Sequence, residues 1–490
     1  MTGNSSKVSQ LLIDGALTPG RGGSFLTINP ATEQPLGEAA DGTAEDMDAA
    51  IAAARTAFVE TDWCRDVALR VHCLRQLRDA LTEELEELRA ITVAEVGAPV
   101  ALTRRGQLEI PIAELAIPAD TAQHYPWRSD LGQAAPLGIP TRRTILREPF
   151  GVVGAITPWN FPHHLNLAKI GPALAAGNTV VLKPAPDTPW CAAEVGRIIA
   201  ERTDFPPGVV NIVTASDHRV GAQLAEDPRV DMVSFTGSTV TGRAVMTAAA
   251  QTIKKVFLEL GGKSAFIVLD DADLESACAK AALAVCTNAG QGCSLTTRLV
   301  VPRERYDEAV AAAAAAMAVV PVGDPTDPAT VCGPLISARQ RQRVQGYLDL
   351  AVEEGGTFAC GGGRPPELPV GFFIEPTVIS GLTNDARVAR EEIFGPVLVV
   401  LAHDGDADAV RIANDSPYGL SGTVVGTDPR RVDWVATRLR TGTVSVNGGV
   451  WCCGDAPFGG YKQSGVGREM GLAGFEEYLQ IKVVAEAVSL

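Results

Sequence analysis

From about residue 150 the chain alternates short β-branched runs with Ala-rich helical stretches, and no other feature limits its possible folds as tightly. The apolar runs Val152 to Ile156, Thr179 to Leu182, Val209 to Val213 and Met232 to Phe235 each have the length of a strand. Such runs, spaced by helices, predict an α/β fold with a parallel, doubly wound sheet, because helical crossovers cover both of its faces. Ala265 to Leu269 and the Ala-rich Leu274 to Val285 open a second α/β unit that continues past residue 450. Two units suit 490 residues, more than one core normally organises. Ahead of them, Thr43 with Asp46 makes a capping-box pattern, and Met47, Ala50, Ile51, Ala54 and Phe58 then recur at helical spacing. The Pro- and Gly-bearing Leu131 to Pro140 leads into the alternating Thr141 to Arg147, the pattern of a hairpin arm leaving the body. Ala311 to Ala316 reads as an ordinary Ala-rich helix.

Composition narrows the function. A formal charge of −16 and a pI near 4.9 argue against nucleic acid or an anionic membrane surface as partner, since both require a basic face. No apolar stretch is long enough to span a bilayer, and Met1 to Gln10 is polar with no signal-peptide core, so the expected compartment is the cytoplasm. Ten cysteines are sparse in a chain of this length, and they show no metal-ligand spacing with histidine. No metal site is expected. Most of the thiols are expected to be reduced and packed, while the adjacent Cys452 and Cys453 sit in a Gly-rich segment as loop residues or a redox-sensitive pair.

Chemistry gathers in a few segments. Asn288-Ala289-Gly290-Gln291-Gly292-Cys293 seats a thiol among small and polar residues, where substrate can approach it closely. Leu258-Glu259-Leu260-Gly261-Gly262-Lys263 ends an apolar run in a lone carboxylate, a position for a general base. Met232 to Phe235 runs through Thr236, Gly237 and Ser238 into a helical pattern, and free amides at a helix N-terminus form an anion site. Thr239 replaces the middle glycine of the strict dinucleotide fingerprint, so a plain strand-to-helix turn is an equal reading. Pro158 and Pro162 bracket Asn160, whose amide could donate to an oxyanion. Lys183 falls at the C-terminal edge of the sheet, where doubly wound folds bind ligands, although a lysine there is commonly a solvated charge. Glu391 and Glu392 stand beside Phe394 and a rigid turn at Pro396, although paired acids of this kind are more often a solvated helix end.

Together these segments resemble the aldehyde dehydrogenase superfamily, of the NAD(P)-dependent, hydrolytic, non-phosphorylating type. The resemblance spans almost the whole chain, through Pro158 to Pro162, Gly171 to Asn178, Lys183-Pro184, Phe235 to Gly242, Glu259 to Lys263, the Cys293 loop, Glu392 to Pro396, and Pro457 to Lys462 with Ser464-Gly465. It implies a small-molecule aldehyde as substrate and oxidation to the acid. Cys293 would form a thiohemiacetal, Asn160 and the Cys293 N–H would hold its oxyanion, and Glu259 would activate the water that hydrolyses the thioester. Lys169 joins this catalytic set, and Glu469 resembles a position near the path of that water. The cofactor would meet Ile156, Thr157, Pro158, Trp159, Lys183, Pro186, Phe235, Gly237, Ser238, Leu260, Glu392 and Phe394, with Lys183 and Glu392 on the two riboses. The implied architecture is a Rossmann-like cofactor domain over residues 1–130 and 150–257, a catalytic α/β domain over 258–476, and a small β oligomerisation arm over 131–149 and 477–490. A homodimer or homotetramer follows from it.

Two departures bear on specificity. Many NAD-preferring members place a glutamate three residues after the lysine, where this chain has Pro186, which cannot accept from a ribose hydroxyl. NADP becomes possible, but NAD is favoured because no cation besides Lys183 stands in the segment to pair a 2′-phosphate. Ala168 stands where the resemblance usually shows a large aromatic, which predicts a wider tunnel and bulky aromatic or terpenoid aldehydes, with His163 and His164 at its rim. The rival readings are a CoA-acylating relative, disfavoured by Glu259, and a catalytically silent binding protein on the same fold. A phosphorylating enzyme would pair its cysteine with a histidine, and the histidines flanking Cys293 in sequence are the distant His218 and His403.

Overall fold

A computed structural model of the chain describes residues 8–488. Its first sheet runs, edge to edge, Gly465–Val466, Lys255–Glu259, Met232–Thr236, Val152–Ile156, Thr179–Lys183, Val210–Ile212, Leu11–Ile13 and Ala16–Thr18. The central strands are parallel and the outer ones antiparallel. The four runs expected between residues 150 and 236 are strands within a residue or two of their predicted ends. Strand order places Thr179–Lys183 on one side of Val152–Ile156 and Met232–Thr236 on the other. The connections therefore diverge at Val152–Ile156, and the crevice beyond the C-terminal ends of these strands is the topological switch point at which such sheets take ligands.

The second sheet is ordered Thr357–Cys360, Thr377–Ser380, Val397–His403, Arg298–Pro302, Ala265–Val268, Gly422–Val425 and Ser445–Val446. Its strands and the helix Leu274–Val285 bury a separate apolar core that includes Ile267, Leu299, Val300 and Val399. The expected hairpin arm is present: Arg128–Ala134 pairs with Thr141–Pro149, which pairs in turn with Leu479–Ala487. Helix Ala44–Glu60 starts with the predicted capping box between Thr43 and Asp46 and buries Met47, Ala50, Ile51 and Ala54, while Phe58 stays half-buried. Such caps contribute about 1 kcal/mol.

Three proposed boundaries need correction. A break at 257/258 would cut the strand Lys255–Glu259, and one at 130/131 would cut Arg128–Ala134. Residues 465–478 also return to the first unit: Gly465–Val466 pairs with Leu258 and Glu259, and Phe475 and Tyr478 lie in the first unit's core. Strand pairing between distant segments leaves no local periodicity, so it was not visible in the chain alone. Among the described residues no helix is long and apolar enough to cross a membrane.

Candidate active site

Glu259 is the last residue of its strand, opposite Thr236 on the parallel neighbour and Gly465 on the antiparallel one. Its carbonyl accepts from the Gly237 N–H at 3.1 Å, so the phosphate-type turn and the carboxylate are fixed to each other. The side chain is buried, and neither of its oxygens has a hydrogen-bond partner of ordinary geometry. Burial pushes its pKa well above the ordinary carboxylate range; Glu469 and Glu392 push the same way, while Lys169 and the Cys293 thiol beside it oppose them.

Cys293 comes from the other unit, in the loop between Leu274–Val285 and the strand Arg298–Pro302. Asn288, Ala289 and Gly290 all have positive φ, which coils the loop tightly enough to present the thiol. Two glycines make the close approach possible. A Cβ on Gly290 would lie 2.0 Å from the Gly395 carbonyl carbon, and one on Gly262 would lie 2.7 Å from the Cys293 carbonyl oxygen. The half-buried thiol is also raised well above its usual pKa, first by burial and then by Glu259 and Glu392. The carboxylate thus opposes ionisation of the thiol, while the neutral thiol favours ionisation of the carboxylate, across the gap between the two units.

Asn160 lies on the turn after strand Val152–Ile156. Its Nδ2 donates to the Gln291 carbonyl at 3.0 Å, which leaves a second amide hydrogen uncommitted. Its own carbonyl accepts from Gln107 Nε2 and Asn288 Nδ2, each at 2.8 Å, and these bonds tie the turn to the cysteine loop. A cavity of about 220 Å³ joins Asn160, Glu259 and Cys293 with Pro158, Trp159, Gly237, Ser238, Glu392 and Phe394. Trp159 meets Phe394 edge to face with centroids 5.5 Å apart.

Glu391 and Glu392 take different roles. Glu391 pairs with Arg387 at 2.8 Å on the surface, as a helix-end carboxylate does. Glu392 turns inward, accepts from the Gly262 N–H at 3.1 Å, and is pushed up to about 7 by burial. It also lies against Gly261, where a Cβ would be 2.1 Å from its oxygen. Lys183 ends its strand at the crevice as expected, but it is buried and not solvated, and burial pushes its pKa down to about 8. Ser238 caps the helix Thr239–Ala249 by accepting from the Thr241 N–H, and a Cβ on Gly237 would collide with the Phe235 ring at 2.5 Å. The residues suit a dinucleotide: a helix N-terminus for phosphate, an inward carboxylate and a lysine at the strand ends, and an apolar wall at Trp159 and Phe394.

Other predicted residues lie around the cavity without lining it. Thr157 donates to Asn166 Oδ1 at 2.7 Å, Phe235 and Leu260 pack beneath Gly237 and Gly242, and Ile156 and Pro186 are partly exposed. Lys169 is fully buried behind Glu259, donating to Glu469 Oε1 at 3.0 Å and Ser234 Oγ at 3.2 Å. A rim position for both histidines is wrong for His163. Its ring is buried with neither nitrogen partnered, and burial lowers it to about 4, so it packs as a neutral ring under the helix Pro162–Ala175. His164 does border a second cavity of about 50 Å³, with Ala168, Glu114 and Met470.

Several members were missed. Gln340 and Arg343 share a helix, Ala338–Glu353, and line the same cavity; Gln340 Nε2 donates to the Phe394 carbonyl at 2.7 Å and Arg343 Nη2 to the Glu392 carbonyl at 2.6 Å. Gln107 is another. The only sequence signal of Gln340 and Arg343 was polar residues on an otherwise amphipathic helix, and that of Gln107 a polar residue in a turn between two short helices, neither distinguishable from a solvated surface.

The aldehyde dehydrogenase family model matches residues 18–484. A 3-succinoylsemialdehyde-pyridine dehydrogenase from a Pseudomonas species is 45% identical over 93% of this chain and 94% of its own length. A geranial dehydrogenase from Castellaniella defragrans is 41% identical over 93% and 94%. The crystal structure of a Mycobacterium tuberculosis aldehyde dehydrogenase complexed with NAD+ superposes with a TM-score of 0.94 at 40% identity, covering 98% of each chain. With a match along nearly its full length and the thiol, carboxylate and amide gathered in one cavity, the chain belongs to the aldehyde dehydrogenase family.

Proposed function

We propose that this protein oxidises an aldehyde to its carboxylic acid with NAD+, through covalent attachment to Cys293 and hydrolysis assisted by Glu259. The observation that carries this reading is the meeting of Cys293, Glu259 and Asn160 in one cavity at the switch point of the first sheet. Gly237, Ser238, Lys183, Glu392, Trp159 and Phe394 would hold the dinucleotide. When bound, NAD+ supplies the acceptor for the hydride that leaves the aldehyde carbon.

Burial favours the neutral thiol, so nucleophilic attack requires a base beside it, and Glu259 takes the proton as sulfur bonds to the carbonyl carbon. The uncommitted Asn160 N–H and the Cys293 backbone N–H stabilise the oxygen that gains charge. Loss of hydride leaves a thioester. Glu259 passes the thiol proton to solvent, then removes a proton from water as the water oxygen attacks that carbon; the C–S bond breaks, the sulfur regains a proton from Glu259, and the acid departs. A carboxylate raised by burial is a stronger base than a solvated one, which suits both transfers. Lys169 and Glu469 form a buried pair behind Glu259 and set its proton affinity from opposite directions. Transfer of the acyl group to CoA would not need this carboxylate, so hydrolysis is the favoured outcome.

The small side chain of Ala168, bordering a cavity of about 50 Å³ distinct from the one that holds Cys293, is the ground for proposing bulky aromatic or terpenoid aldehydes over acetaldehyde. The exposed apolar residues Ile481, Val483 and Val484 on the arm support assembly into a dimer or tetramer, and the cytoplasm is the proposed compartment. The deciding experiment pairs Cys293→Ala with Glu259→Gln. Cys293→Ala should make no NADH. Glu259→Gln should lose about 10²- to 10⁴-fold in turnover, with both attack by the thiol and hydrolysis of the thioester slowed. Normal turnover in either variant would refute the assignment.

A further inference from the structure

Pro186 offers no acceptor to a ribose, yet the turn that carries it is not short of carboxylates. Lys183 packs its stem over Gly221, where a Cβ would sit 3.3 Å from Lys183 Cδ, and its amine faces Asp187, Asp41 and Asp217. Two of these three are already committed. Asp41 accepts from Ser216 N and Oγ at 2.8 and 2.7 Å. Asp217 caps the helix His218–Glu226, accepting from the Arg219 N–H at 2.9 Å and from Arg219 Nε at 2.9 Å. The Asp187 carboxylate has no such bond; its ion-pair partner is Arg339, a longer 3.7 Å away, and its side chain is only 21% exposed. It therefore keeps acceptor capacity free at the C-terminal end of strand Thr179–Lys183, where a dinucleotide fold presents an acidic residue to the adenosine ribose.

We propose that Asp187 is the residue that selects NAD+ over NADP+, accepting from the adenosine ribose 2′-hydroxyl in place of the carboxylate that Pro186 lacks. The proposal rests on the reading of the protein as an NAD-dependent enzyme and adds to it the source of cofactor choice. A 2′-phosphate would bring its negative charge among Asp187, Asp41 and Asp217, with Lys183, His218 and the more distant Arg339 to offset them. Arg339 sets up a clear reversal. It stands in the first turn of the helix Ala338–Glu353 that also carries Gln340 and Arg343, 3.7 Å from Asp187 and largely exposed. Removing the Asp187 charge removes a repulsion against a 2′-phosphate and leaves that guanidinium for it.

The test is to titrate the wild type and Asp187→Asn with NAD+ and with NADP+, following tryptophan fluorescence, and to measure steady-state kinetics on a benzaldehyde-sized aldehyde. The wild type should bind NAD+ more tightly than NADP+. In Asp187→Asn, NAD+ binding should weaken by about tenfold, as expected for losing a hydrogen bond to a charged acceptor, and the preference should narrow by more than that as NADP+ gains. The kcat at saturating NAD+ should stay within a small factor, and Asp187→Glu should retain the preference. Should Asp187→Asn fail to fold, Asp187→Ser carries the same comparison. An unchanged preference in the uncharged variant, with normal turnover, overturns the role of Asp187 alone. A wild type that neither binds NAD+ nor reduces it with any aldehyde overturns the function on which the proposal rests.

Discussion

Replacing Lys169 by Met tests whether the charge pair behind Glu259 is set as the structure has it. Lys169 and Glu469 are 0% and 1% exposed, and their charged atoms lie 3.0 Å apart. At an effective dielectric of 20, that separation corresponds to about 5–6 kcal/mol of attraction, and removing one partner of a buried pair typically costs about 3–5 kcal/mol because the other charge is stranded. The Phe257 ring, 5.0 Å from the ammonium, and Ser234 lose their contacts as well. An unfolding entropy near 2.1 cal/mol/K per residue gives roughly 1 kcal/mol/K for a chain of this size, so Tm should fall by about 3–5 °C. Differential scanning calorimetry of Lys169→Met, Glu469→Gln and the double variant measures this, and the double variant should recover more than half of the loss. The pair also has a kinetic signature. Lys169 lowers the proton affinity of Glu259 and Glu469 raises it. The rising limb of thioester hydrolysis with pH should therefore move up in Lys169→Met and down in Glu469→Gln. Movement of both variants in the same direction, or a Tm shift below 1 °C in Lys169→Met, would refute the reasoning.

Two further outcomes follow from the small side chain at Ala168 and from a buried amine. Ala168→Trp should fill the cavity beside His164 and lower kcat/KM for geranial- or benzaldehyde-sized substrates by about 10- to 100-fold while sparing acetaldehyde; equal losses on both in a substrate panel would show that Ala168 does not set the width. Lys263 is buried with no partner for its amine, and burial pushes its pKa down to about 7, below its unfolded value. A depressed ammonium makes stability rise with pH, because the unfolded chain binds the proton that the fold rejects. The wild type should gain on Lys263→Met by up to about 1.4 kcal/mol per unit between pH 7 and 10, measured by urea melts, with no further change below pH 7. A flat difference across that range would refute it.

The chain by itself determined whatever is written in consecutive residues. Strands Val152–Ile156 and Met232–Thr236, the Thr43 cap, the turn at Gly237 and the glycine-lined seat of Cys293 are set by local propensity, periodicity and backbone sterics, which a single segment carries. The order of motifs then named the family. What only the tertiary structure decided depends on pairs far apart in the sequence. Gln107 reaches Asn160, Arg339 reaches Asp187, Glu392 turns inward while Glu391 does not, and Gly465–Val466 closes the first sheet against Glu259. Nothing local distinguishes a polar side chain that will be buried against a distant backbone from one that will face water. Two adjacent glutamates have the same chemistry until folding supplies the Gly262 N–H to one and Arg387 to the other, and His163 shows the converse, a polar ring that packing alone consigned to the core.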